Sequence, residues 1–214
     1  MTVSPPPEHP VAGGPLPPPA EAPRRGLAKL LGPVGANIAE WLVVIVGAVV
    51  LALVIKAFVL QAFFIPSLSM ASTLEEGDRV LVNKLSYTFG DVSRGDIVVF
   101  ERPPTETAGE IPDLIKRVVG LPGESIVIKD DTVFVDGQAL DESYLDPGVV
   151  TSTATTPLSC SDADPCLVPP GHVWVMGDNR PDSKDSRFFG PITESSIVGE
   201  SFVRVWPLGR FSFF

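Results

Sequence analysis

The chain has 214 residues, a formal net charge of −10 and two cysteines, Cys160 and Cys166. That charge repels a polyanion, so no nucleic-acid partner is expected, and two cysteines are too few for a disulfide scaffold and wrongly spaced for a closed zinc site, so no metal is expected. Once a polar head and an apolar segment are set aside, enough chain is left for one domain with its own core.

Residues 1–37 are expected to form a disordered tail: up to about residue 23 they are dominated by proline, as in Pro5-Pro6-Pro7 and Pro17-Pro18-Pro19, and offer almost no large apolar side chain. The tail closes on a basic flank of Arg24, Arg25 and Lys29. From Ile38 to Ile65 runs an apolar stretch broken only by Glu40, Lys56 and Gln61, predicting a transmembrane helix over 38–62. About 25 helical residues reach roughly 37 Å, more than a hydrocarbon core of about 30 Å. Lys56, about 22 Å along the helix from Trp41, can snorkel to the exit-side interface. A cleavable signal peptide or a buried core helix are the alternatives. The long head, and the absence of a small-x-small pattern in Leu60-Gln61-Ala62-Phe63-Phe64, favour an uncleaved single-pass anchor in the cell membrane. The basic flank puts the N-terminus in the cytoplasm and residues 63–214 outside.

Beyond Pro66 the pattern changes to short runs rich in Val, Ile and Phe: 79–84, 96–101, 116–119, 125–128, 132–135, 172–176 and 197–206. Turn pairs such as Pro122-Gly123, Asp130-Asp131 and Asp136-Gly137 separate several of them. Residues 102–113 and 141–169 are rich in Pro, Ser, Thr and Asp and read as surface loop insertions. The expected fold is mostly β, an outer domain of antiparallel sheets behind one N-terminal helix. Cys160 and Cys166 close a short loop in the second insertion and, outside the cytoplasm, are expected to form a disulfide.

Hydroxyls crowd Ile65-Pro66-Ser67-Leu68-Ser69-Met70-Ala71-Ser72-Thr73-Leu74, where the chain leaves the apolar run. A serine nucleophile needs a base. Of the two histidines, His9 lies in the tail and His172 opens a strand. Lys116, in Leu114-Ile115-Lys116-Arg117-Val118-Val119, can act as a base only if burial strips its proton, with a cationic Arg117 pushing the same way if unpaired. By spacing alone, an exposed edge lysine and a strand-end histidine are equally ordinary.

Four blocks in order break that tie: Ile65 to Met70 with Thr73-Leu74; Arg94-Gly95-Asp96-Ile97-Val98-Val99-Phe100; Lys116-Arg117-Val118-Val119-Gly120-Leu121-Pro122-Gly123; and Gly177-Asp178-Asn179-Arg180 through Ser183, Asp185, Ser186 and Arg187. Together they closely resemble the type I signal peptidases, membrane serine endopeptidases that remove signal peptides from exported preproteins. The resemblance implies Ser69 as nucleophile, Lys116 as general base, Ser67 as an oxyanion donor beside the Ser69 backbone N–H, and Ser183 as the group orienting the amine. It makes Asp178 with Arg117, and Asp185 with Arg187, supporting ion pairs. Leu68 and Ser72 depart from it, where glycine and proline are frequent. Substrates would be preproteins with small residues before the cut, lying extended beside Ser69, with Phe63, Ile65, Met70, Leu74 and Ile115 as candidate pocket walls. No cofactor is implied, and a monomer is expected. The aromatic C-terminus, Trp206 to Phe214, suits a lipid headgroup layer. Three rivals stand beside this reading: an inactive preprotein receptor, a Ser/His hydrolase using His172, and a self-cleaving repressor, which would need a DNA-reading helix pair.

Overall fold

The computed structural model describes residues 28–106, 111–153 and 156–214. The proline-rich head through residue 27, with His9, Arg24 and Arg25, lies outside the described residues. The chain divides into two units, Met1–Val49 and Val50–Phe214.

Helix α1 (Ala28–Phe58) has 31 residues, about 46 Å of length, and its stretch Asn37–Lys56 is long and apolar enough to cross a membrane. It begins ten residues before the predicted start, taking in 28–37 of the expected disordered tail, and ends four residues before the predicted limit, because Leu60–Phe64 form strand β1 instead. An apolar run cannot by itself distinguish helix from strand. Here an edge of β2 (Arg79–Asn83) accepts β1 in antiparallel register, Leu60 opposite Asn83 and Phe64 opposite Arg79. The Lys84 N–H donates to the Val59 carbonyl at 2.9 Å and fixes the corner.

The remaining strands are β3 (Ile97–Glu101), β4 (Asp113–Gly120), β5 (Ser125–Lys129), β6 (Thr132–Val135), β7 (Gln138–Ala139), β8 (Cys166–Leu167), β9 (His172–Met176), β10 (Ile192–Thr193), β11 (Ile197–Trp206) and β12 (Ser212–Phe213). They build two antiparallel sheets. The larger runs β1-β2-β11-β3-β4-β9-β10, with β12 paired to β11, and the smaller runs β7-β6-β5-β8. Alternating Val80 and Val82 turn inward from β2, whereas β4 is buried along most of its length between β3 and β9. In the small sheet, Asp130-Asp131 and Asp136-Gly137 make two-residue hairpin turns with φ of 47° and 59°, and of 49° and 77°, the left-handed values such turns need.

Two predicted loops carry more structure than their composition suggests. Asp113 already begins β4, and 141–169 contains β8 together with buried Thr151, Cys160 and Val168. Cys160 and Cys166 are joined as a disulfide with Cα atoms 4.8 Å apart, and Cys160 packs in the core of the small sheet with Ile126, Val133 and Trp174.

Candidate active site

Antiparallel register brings the site together. Arg117 on β4 faces Met176 on β9, so one step further along Lys116 lies beside Gly177, where β9 ends and the loop 177–185 begins. Ser69 arrives from the turn after β1. That turn is compact: the Ala71 N–H donates to Leu68 O at 2.9 Å, and the Leu74 N–H to Met70 O at 2.7 Å. Met70 and Leu74 are fully buried anchors beneath it, in a cluster with Ile65, Val80, Val99 and Ile115. From above, the Asn179 N–H donates to Ser69 O at 3.1 Å and its side-chain Nδ2 to Leu68 O at 3.0 Å. Ser72 takes φ of 78°, a left-handed conformation closed to proline.

Lys116 Nζ and Ser69 Oγ are 2.6 Å apart, and the amine also donates to Ile115 O at 2.9 Å. Lys116 is only 3% exposed. Burial lowers its pKa to about 8 from 10.5; Asp185 and Asp178 oppose the fall, and Arg102 assists it. The assisting cation is therefore not Arg117, whose charge is matched by a carboxylate. The Ser67 hydroxyl lies 3.4 Å from Ser69 Oγ. Such a pair can do nucleophilic acyl chemistry: a hydroxyl in contact with an amine whose environment favours the neutral form.

The expected ion pairs are both present. Arg117 grips Asp178 through Nε to Oδ1 at 2.9 Å and Nη2 to Oδ2 at 2.7 Å, and Thr73 of the Ser69 turn donates its hydroxyl to the same carboxylate. Arg187 grips Asp185 through two bonds of 2.8 Å. Asp185 also caps the short helix α2 (Ser186–Phe189) and accepts from the Gly177 N–H at 3.1 Å. Ser183 behaves differently from expectation. Its hydroxyl is buried and makes no hydrogen bond among the described residues, to Lys116 or to any other group. It lies against the Cα of Gly177 instead: a side chain begun there would meet both Ser183 Oγ and Ser69 O at 2.3 Å.

Two cavities open at this point. One, of about 300 Å³, joins Ser67, Ser69 and Lys116 to Leu68, Ile111 and Leu114, with a charged rim of Arg102, Glu106, Asp182 and Lys184. The other, of about 220 Å³, is apolar, with Phe63, Ile65, Val99, Leu114 and Ile115 among its walls. Phe63, Ile65 and Ile115 thus reach a pocket, whereas Met70 and Leu74 lie beneath in the core, on the inward side of the turn. His172 hydrogen-bonds Pro170 O through Nδ1 and stands at the far end of β9, roughly 16 Å of strand from Gly177.

Sequence reasoning missed Gly177, Asn179, Arg180, Glu142 and Tyr144. Arg180 is buried; it donates Nε to Gly177 O at 3.0 Å, meets Glu142 with both terminal nitrogens, and reaches Thr151 Oγ1 at 2.9 Å. The Arg117 guanidinium stacks over the Tyr144 ring at 4.1 Å. Gly177, Asn179 and Arg180 stood inside the fourth block, a signal that could have flagged them. Glu142 and Tyr144 had none.

A family model described as signal peptidase, peptidase S26, matches residues 38–206. Signal peptidase I of Bacillus caldolyticus is 41% identical over 149 residues, 68% of this chain and 79% of that protein. Signal peptidase IB of Staphylococcus aureus is 35% identical over 185 residues, 83% of this chain and 94% of that protein. A crystal structure of a signal peptidase I from Enterococcus faecalis is 31% identical, covering 51% of this chain and 96% of that one, with a TM-score of 0.40.

Proposed function

Because the chain belongs to the signal peptidase family, peptidase S26, we propose that it is a serine endopeptidase that removes signal peptides from exported preproteins, with Ser69 as nucleophile and Lys116 as general base. The observation that carries the reading is the 2.6 Å contact between the Ser69 hydroxyl and an amine desolvated in a central strand. Neutral Lys116 takes the Ser69 proton as Oγ attacks the scissile carbonyl. The resulting oxyanion is met by the Ser69 N–H and the Ser67 hydroxyl, a donor worth about 3 kcal/mol in comparable sites. Protonated Lys116 returns its proton to the leaving amine, and the mature protein departs. The same amine then activates water to hydrolyse the acyl-enzyme and free the signal peptide.

The substrate lies extended beside the Ser69 segment, with small side chains before the cut entering the cavity bounded by Phe63, Ile65 and Ile115. The chain is a single-pass protein of the cell membrane, α1 spanning the bilayer, the N-terminus cytoplasmic and the sheets outside, and it acts as a monomer. Trp206, Leu208, Phe211 and Phe213 are all more than half exposed, which favours a lipid contact over core packing for this end of the chain.

Three proteins test the chemistry: wild type, Ser69→Ala and Lys116→Ala, each incubated with a preprotein bearing a small-x-small site. Wild-type kcat/KM should rise roughly tenfold from pH 7 to pH 9 and level off, following the neutral fraction of an amine near 8. Neither variant should cleave. A profile that levels off near pH 7, or cleavage by Ser69→Ala, would refute the assignment, and His172→Ala should leave the rate unchanged.

A further inference from the structure

The segment from Glu142 to Ser152 touches each of the three buried arginines, Arg117, Arg180 and Arg187, that surround the candidate site. Tyr144 lays its ring under the Arg117 guanidinium at 4.1 Å, and its hydroxyl donates to Glu142 Oε1 at 2.9 Å. Glu142 and Thr151 accept from Arg180, and Ser152 O accepts from Arg187 Nη1 at 3.2 Å. All three arginines converge on two residues. Arg117 holds Asp178; Arg180 holds the Gly177 carbonyl; Arg187 holds Asp185, which accepts from the Gly177 N–H. Gly177 in turn leaves no room for a side chain against Ser69 O, and Asp178 binds Thr73 of the nucleophile turn.

We propose that Glu142 and Tyr144 are positioning residues for the cleavage reaction, clamping Arg180 and Arg117 in the orientations that hold Gly177 and Asp178 against Ser69 and Lys116. This role rests on the Ser69 and Lys116 assignment above. Neither residue lines the two cavities at the site. Both act through a guanidinium, and a planar fork is effective only when its plane is fixed. The Tyr144 face fixes one plane by stacking, and the Glu142 carboxylate fixes the other by a two-pronged bond.

A positioning role has an electrostatic signature. The charges that shift Lys116 are Asp185 and Asp178 on the loop after β9 and Arg102 at the cleft; Arg117, next to it in β4, is matched by Asp178, and Glu106, Asp182 and Lys184 line the rest of the rim. If Arg117 loses its stacking face and swings away, the Asp178 charge is left uncompensated beside the amine. Lys116 then holds its proton more tightly, and the rate profile moves to higher pH.

The test uses the full chain in lipid vesicles with a preprotein bearing a small-x-small site, comparing wild type, Tyr144→Leu, Tyr144→Phe, Ser69→Ala and the double variant Glu142→Leu/Arg180→Met. Tyr144→Leu should lower kcat at pH 7 by about tenfold or more, hold KM within about twofold, and move the pH midpoint upward by about half a unit. Tyr144→Phe keeps the ring and should recover the wild-type midpoint. Should Tyr144→Leu fail to fold, the double variant decides: removing both partners leaves no orphaned charge, so it should fold, melting a few degrees below wild type because the Gly177 carbonyl and Thr151 lose a donor, while kcat falls by about tenfold. Wild-type kcat and midpoint in a folded Tyr144→Leu, or wild-type kcat in the double variant, overturn the proposal while Ser69→Ala remains inactive. Cleavage surviving in Ser69→Ala overturns the nucleophile assignment instead.

Discussion

Replacing Lys116 by methionine should abolish cleavage and yet make the β domain more stable at neutral pH. The amine is almost wholly buried, and its pKa falls from 10.5 to about 8. At about 1.36 kcal/mol per pH unit, holding that group charged inside the fold at pH 7 costs about 3 kcal/mol. Methionine fills nearly the same volume, removes the charge, and forfeits the contacts to Ser69 Oγ and Ile115 O, each worth about 1 kcal/mol. A net gain of about 1 to 2 kcal/mol follows. Its sign with pH is fixed: the folded amine binds its proton more weakly than the unfolded one, so the penalty is full below pH 8, fades between 8 and 10.5, and is absent above. The variant should therefore melt above wild type at pH 7 and at or below it beyond pH 10.5, as followed by the near-ultraviolet signal of buried Trp174. Equal destabilisation at both pH values would mean that the amine carries no desolvation penalty, and the neutral-lysine mechanism would lose its physical basis.

Gly177→Ala puts a methyl at 2.3 Å from both Ser183 Oγ and the Ser69 carbonyl. The hydroxyl can rotate and the backbone oxygen cannot, so the variant should lose about 1 to 3 kcal/mol of stability and up to about a hundredfold in kcat, read by melting and by preprotein cleavage. Ser72→Gly should stabilise by about 1 kcal/mol by relieving a φ of 78°, whereas Ser72→Pro, whose ring holds φ near −65°, should be destabilised by more than that in the same melting assay. In Trp41→Phe protein reconstituted with brominated lipid, the exposed Trp206 should be quenched and the buried Trp174 should not, and a further Trp206→Phe change should remove the quenching. Emission indifferent to brominated lipid in the Trp41→Phe protein would count against a lipid contact at this end of the chain.

Most strands were legible because their residues are β-branched or aromatic and their turns carry residues that tolerate left-handed backbone. Arg79–Asn83, Thr132–Val135 and His172–Met176 are such cases. Strand β1 was hidden, since Leu60–Phe64 continue an apolar run and only the waiting edge of β2 makes them extended. Ser69 and Lys116 were singled out by block resemblance, and local chemistry alone left Lys116 as ordinary as any strand lysine. What decides its state is burial by β3 and β9, which no local window contains. Glu142 and Tyr144 were illegible for a related reason: their partners lie 38 and 27 residues along the chain at Arg180 and Arg117, and a polar insertion looks the same whether or not it folds back onto a guanidinium. Ser183 shows the opposite error, a residue singled out by its block whose hydroxyl is turned against Gly177.

The double tether from Asn179 to the carbonyls of Leu68 and Ser69 bears on how a preprotein meets the protein. Loops that must be ordered on encounter subtract that ordering from affinity. Here two hydrogen bonds restrain the stretch around Ser69 already in the folded protein, so that stretch has less conformational freedom left to surrender when a polypeptide arrives. A flexible cleavage region, poor in side chains to immobilise, is the kind of guest such a rigid host receives at least entropic cost.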